Sequence, residues 1–166
     1  MKKELLEKSL ENIDSQDSEF IFDESTITWQ VSYVWLICGT ISEFSSIEEF
    51  FLYSVVTNSP FGQGKLGEPV WKERVDFQAW INGLELKEVD SSEVCLEIES
   101  AKNEALDNKM EWEEDFDLSR FDDLGEIEQA WRIEEKAEPR FSIGLHWGYI
   151  WKSENCFYYL ERHWES

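Results

Sequence analysis

The chain has 166 residues, 42% hydrophobic and 15% aromatic with nine tryptophans, enough material to bury a core without disulfide or metal support. Its 37 acids against 15 bases leave −22 at neutral pH, a charge that repels nucleic-acid phosphates and anionic membrane surfaces and attracts basic protein surfaces. No apolar run approaches the roughly 18 residues of a membrane-spanning helix, and the opening "MKKELLEKSL" turns acidic before any apolar signal-peptide region begins.

In chain order, Leu5, Leu6, Leu10 and Ile13 fall at helical spacing over residues 2–13. From 26 to 39 every odd position through Ile37 is apolar, and the even positions become apolar at Val34, Leu36 and Cys38. That pattern predicts one long strand, half-buried and then buried on both faces. Ser46 and Glu49 open a helix over 46–57 as a capping box. "NSPFGQGKLGEP" is a loop, and a second helix over 69–82 starts at Pro69 and stops at Gly83. Residues 84–110 read both ways, because "EVCLEIES" alternates like a strand while "SAKNEALDNK" favours helix.

Residues 110–117 alternate again. As a strand they place Glu111, Glu113, Asp115 and Asp117 on one face and Met110, Trp112 and Phe116 on the other, with Glu114 the exception. Residues 122–137 predict an acidic helix ended by Pro139. In "RFSIGLHWGYIWK", the odd positions Phe141 to Trp151 are all apolar, which predicts a strand over 140–151 with one apolar face. "KSEN" turns it into a partner strand over 156–164. The fold expected is α+β in a single domain spanning 1–166. It has an antiparallel sheet built from this C-terminal hairpin and the strand at 26–39, with helices packed on one face.

Catalytic signatures do not accumulate. "GQGKLG" (62–67) has the glycine spacing of a dinucleotide loop, but a predicted helix precedes it and Glu68-Pro69 follows before the next helix can open. His146, Cys156 and His163 lie on paired strands without CxxC or HxxxH spacing, so neither zinc nor a Cys–His nucleophile is expected. Carboxylate pairs are too numerous to single out a general acid and base. The expectation is a non-enzyme without metal or cofactor. Three widely spaced cysteines among apolar neighbours fit reduced, buried thiols and a cytoplasmic setting.

The charge itself is uneven. Residues 111–138 hold twelve acids and three bases, while 139–166 balance at three of each. A solvated face without a partner normally mixes signs, because like charges side by side cost stability. The expected partner-binding residues are therefore Glu111, Glu113, Glu114, Asp115, Asp117, Asp122, Asp123 and Glu126. The function expected is an acidic inhibitor, an immunity protein or antitoxin, that covers the cationic surface of a basic toxin such as a nuclease, with no direct nucleic-acid or membrane binding. The alternative is a DNA mimic of the anti-restriction or anti-CRISPR kind. Such a mimic wants two acidic rows at duplex width, and the neutral C-terminal 28 residues count against it.

Overall fold

The computed structural model describes residues 23–29, 32–57, 83–108, 118–122, 124–135 and 147–163. Six strands form one fully antiparallel sheet: β1 (Asp23–Trp29), β2 (Ser32–Thr40), β3 (Leu84–Val89), β4 (Ile127–Glu135), β5 (Trp147–Ser153) and β6 (Cys156–His163). Their order across the sheet is β1-β2-β6-β5-β4-β3. Two helices, α1 (Ile47–Thr57) and α2 (Ser91–Asn108), a 3-10 turn at Ile41–Glu43 and one helical turn at Ser119–Asp122 complete the described elements.

Over the described residues the C-terminal hairpin forms as its alternation implies, with strands at Trp147–Ser153 and Cys156–His163, while 140–146 and 164 of the expected pair lie outside the described residues. Ser153 pairs with Cys156 across the two-residue turn Glu154-Asn155, and Glu154 takes φ 41, the left-handed backbone that such tight hairpins use. Tyr149 and Trp151 from the odd row are buried, but so are Gly148 and Ile150 from the even row. A strand in the middle of a sheet is covered on both sides, so alternation does not mark one wet face here.

The single long strand expected at 26–39 is instead two strands. Trp29 pairs with Ser32 and Asp23 with Cys38, so the chain reverses between Trp29 and Ser32. No Gly, Pro, Asn or Asp lies between Ile27 and Gly39, and the alternation runs straight through the reversal without a turn signal.

The acidic helix expected over 122–137 is also replaced by a strand. Residues 127–135 form β4, hydrogen-bonded between β3 and β5. Leu124, Ile127, Ala130, Trp131 and Ile133 fit helical spacing only because a bulge shifts the register between Ile127 and Gln129. Beyond it Ala130 and Ile133 are both buried, on opposite faces.

Residues 84–110, ambiguous in sequence, divide at Asp90. Val94, Ile98, Ala101 and Ala105 are buried at helical spacing along α2, and Leu96 is left in solvent, so the strand-like alternation of 93–98 is coincidental. Asp90 sets the start: its carboxylate accepts Ser92 N–H at 2.9 Å and its carbonyl accepts Glu93 N–H at 3.0 Å. At α1, Ser46 Oγ accepts Glu49 N–H at 3.2 Å, while the Glu49 carboxylate reaches back to Ser45 N–H at 2.6 Å, one residue earlier than a standard box.

The two helices lie on opposite faces, which corrects the expectation of one helical layer. Phe50 and Phe51 of α1 meet Phe157 and Tyr159 with ring centroids 5.6 and 5.5 Å apart. Val94, Ile98, Ala101 and Ala105 of α2 pack with Val34, Leu36, Ala130, Tyr149, Trp151 and Leu160. Tyr159 and Leu160 are neighbours in β6 and so point to opposite sides. Gly39 lets α1 approach: a Cβ there would stand 2.8 and 2.9 Å from the rings of Phe44 and Phe50. The sequence-predicted helices at 2–13 and 69–82, the loop at 58–69 and the strand at 110–117 lie outside the described residues.

Candidate interaction surface

The charged surface of the described residues starts with three cations, each held between carboxylates. Arg162 on β6 donates to Glu97 at 2.6 Å and to Glu104, both on α2. Arg132 on β4 donates to Glu93 of α2 at 2.7 Å and to Glu134 of its own strand at 2.6 Å, and Lys87 stands 3.4 Å from Glu134. Lys102 on α2 donates to Glu99 at 2.9 Å and to Asp122. In the last case the layering is plain: the Lys102 side chain is 12% exposed, against 61% for Glu99 and 60% for Asp122. Arg162 is likewise more buried than Glu97 and Glu104.

These contacts set protonation. Asp122 first, then Glu99, hold the Lys102 ammonium above its ordinary pKa. Glu134, then Glu93, do the same for the Arg132 guanidinium, and Arg132 in turn holds the Glu134 carboxyl below the usual carboxylate range. Burial, reinforced by a 3.1 Å hydrogen bond to Glu93, pushes the Tyr149 hydroxyl up to about 12.

A second acidic region gathers at one end of the sheet. The pairing of Val89 with Ala130 and of Ile127 with Ser153 brings the end of β3, the start of β4 and the β5–β6 turn together. Glu88, Asp90, Glu126, Glu128 and Glu154 are exposed there. Glu128 holds Lys152 at 2.5 Å, and Gln129 donates to Glu88 at 3.4 Å. Strands spaced about 4.8 Å apart put these acids along an edge on the order of 10 Å from β3 to β5.

Of the eight sequence-predicted binding residues, two fall among the described residues. Asp122 is exposed at the end of the helical turn and joined to α2 through Lys102. Glu126 is exposed in the lead-in to β4, not on a helix, and its carbonyl accepts the Ser153 hydroxyl at 2.7 Å. Glu111, Glu113, Glu114, Asp115, Asp117 and Asp123 lie outside the described residues. Sequence reading missed Glu88, Asp90 and Glu154, because they are far apart in the chain and meet only through strand pairing. It also missed that Glu93, Glu97 and Glu104 are taken up by arginines. Their spacing of four and seven was available as a signal, once 91–108 was known to be helical.

The thiols differ from expectation as well. Cys95 is exposed, and Cys38 and Cys156 are half-buried. Among the described residues, no group of three or more His, Cys, Asp or Glu side chains is arranged to hold a metal, and no helix is long and apolar enough to cross a membrane. No protein-family model matches the chain, and neither a curated protein nor a solved structure matches it.

Proposed function

We propose that the protein is an acidic, protein-binding inhibitor, an immunity protein or antitoxin acting in the cytoplasm, which neutralises a basic toxin such as a nuclease by covering its cationic surface. The observation that carries this reading is the layering of charge. Lys102 is turned under the exposed Glu99 and Asp122, and Arg162 is more buried than Glu97 and Glu104, so at these two cations the acids stand nearer the solvent. Enzymes that cut nucleic acid need cationic clefts to hold phosphates. An outward acidic surface accelerates encounter with such a cleft.

The test is stoichiometric inhibition. The full chain is titrated against basic nucleases recovered on it from cells that encode it. One-to-one loss of nuclease activity is expected, with association slowing as salt rises. Reversing Glu113, Asp115 and Asp117 to Lys should slow association far more at low salt than at high salt. A chain that recovers no basic protein, or that leaves every recovered nuclease active, overturns the reading. Recovery of a DNA-binding enzyme whose groove is blocked against duplex would instead support the DNA-mimic alternative.

A further inference from the structure

We infer that the solvent face of α2 is the contact surface for the basic partner, with Leu96 and Leu106 as its apolar anchors and the acids set around them. This deepens the inhibitor reading and rests on it for the partner's identity.

α2 spans 18 residues, a rod about 27 Å long. Its inner stripe is fully used: Val94, Ile98, Ala101 and Ala105 are buried in the core. Its outer stripe carries the exposed large hydrophobics of the described residues, Leu96 at 70% and Leu106 at 50%. Ten residues separate them, which places them about 15 Å apart along the axis and within about a quarter turn of each other. Exposed Asn103 lies between them, and exposed Cys95 adjoins Leu96.

Charge decides what fits there. Glu93, Glu97 and Glu104 run along one flank and Asp122 stands on the other, while Glu99 lies on the outer stripe itself, between Leu96 and Leu106. With Asp90 and Asp107 this makes seven acids against Lys102, Arg132 and Arg162, a surplus of four. Leu96 and Leu106 are thus two separate apolar anchors set among acids, and apolar anchors with polar groups around them are common in protein interfaces. Charge of this sign selects a partner with cations beside its apolar groups, and it repels a second copy of a chain carrying −22. The surface is also held in place before any partner arrives. Arg132 and Arg162 fasten α2 to β4 and β6 at two points along its length, so little ordering remains to be done on binding.

The probe is an 18-residue Leu/Lys peptide that forms a basic amphipathic helix, beside a scrambled isomer of equal charge with no apolar face. The reporter is the alkylation rate of Cys95 in the full chain, read by mass against Cys38 and Cys156. The amphipathic peptide should slow Cys95 about fivefold or more at low salt and leave the other two thiols unchanged, while the scrambled isomer has less than a twofold effect. Leu96→Ser with Leu106→Ser should weaken peptide binding about tenfold, because two apolar contacts are lost. Both sites are exposed, so the thermal midpoint should not move. Glu99→Gln with Asp107→Asn should weaken it at low salt only.

Equal protection by both peptides would mean diffuse charge attraction and would overturn the inference, as would undiminished binding by the double-serine variant or no protection at all. The two claims separate cleanly. If Cys95 is protected but no basic toxin is neutralised, the surface stands and the inhibitor reading falls. If a basic nuclease is inhibited while Cys95 reacts at its free rate, the surface falls and the inhibitor reading stands.

Discussion

Two buried residues, Tyr149 and Arg162, tie the acidic helix to the sheet. The Tyr149 hydroxyl, pushed up to about 12 by burial and the Glu93 hydrogen bond, keeps its proton in the folded state beyond its ordinary 10.0. Below about pH 10 both folded and unfolded tyrosine are protonated, and its contribution is fully present. As pH rises from about 10 to about 12 the unfolded chain releases the proton first, so stability falls across that window. Denaturant unfolding of wild type should weaken between pH 10 and 12, and Tyr149→Phe should flatten that slope. Arg162 is nine-tenths buried and faces two carboxylates from α2. Arg162→Met should cost about 3 kcal/mol by urea unfolding, since removing one partner strands the other charges. Adding Glu97→Gln and Glu104→Gln to that variant should recover much of the loss. Neither contact could be read from the chain, where 58 residues or more separate the partners. Trp151, by contrast, was legible: its place in the apolar odd row predicts burial, and it is fully buried and stacked on Tyr158 at 5.2 Å.

Among the elements, legibility followed the strength of the local signal. The C-terminal hairpin and α1 were readable because an unbroken period of two and a Ser/Glu cap are local patterns. The β1–β2 reversal and β4 were not. The first lacks turn residues, and the second borrows helical spacing from a bulge that only its neighbours explain. α2 shows what decides such cases, since its acidic, weakly apolar sequence becomes a helix by burying one stripe. Ile98→Ala should therefore cost about 2–4 kcal/mol, while Leu96→Ala should stay within about 0.5 kcal/mol. Both are measured by the same chemical denaturation. Equal costs would place the strand-like pattern of 93–98 back in contention. The proposed binding segment is the least legible element of all. Its carboxylates were obvious in sequence, but which acids are paired with cations depends on strand order and helix placement.

Across the whole molecule, a surplus of 22 negative charges should oppose the compact state by self-repulsion. Salt screens that repulsion over about 8 Å at physiological strength. The melting temperature of the free protein should therefore rise from low salt to moderate sodium chloride, measured by scanning calorimetry. Neutralising Glu113, Asp115 and Asp117 to Gln or Asn should raise it further while weakening partner binding, the exchange of stability for recognition that a binding surface makes. A less stable variant would show these acids to be structural. The strand order has its own bearing on how the protein comes into being. β5 and β6 occupy the middle of the sheet although they follow all the other described strands in the chain. On the ribosome, the β1–β2 hairpin and the β3–β4 pair, whose strands are separated by α2, emerge first and have no edge in common, so each waits with an open flank. The nascent sheet is thus in two parts until synthesis has passed His163, and the late hairpin is the keystone that joins them. A messenger truncated upstream of Trp147 should yield a protease-sensitive product, however much of the acidic region it encodes.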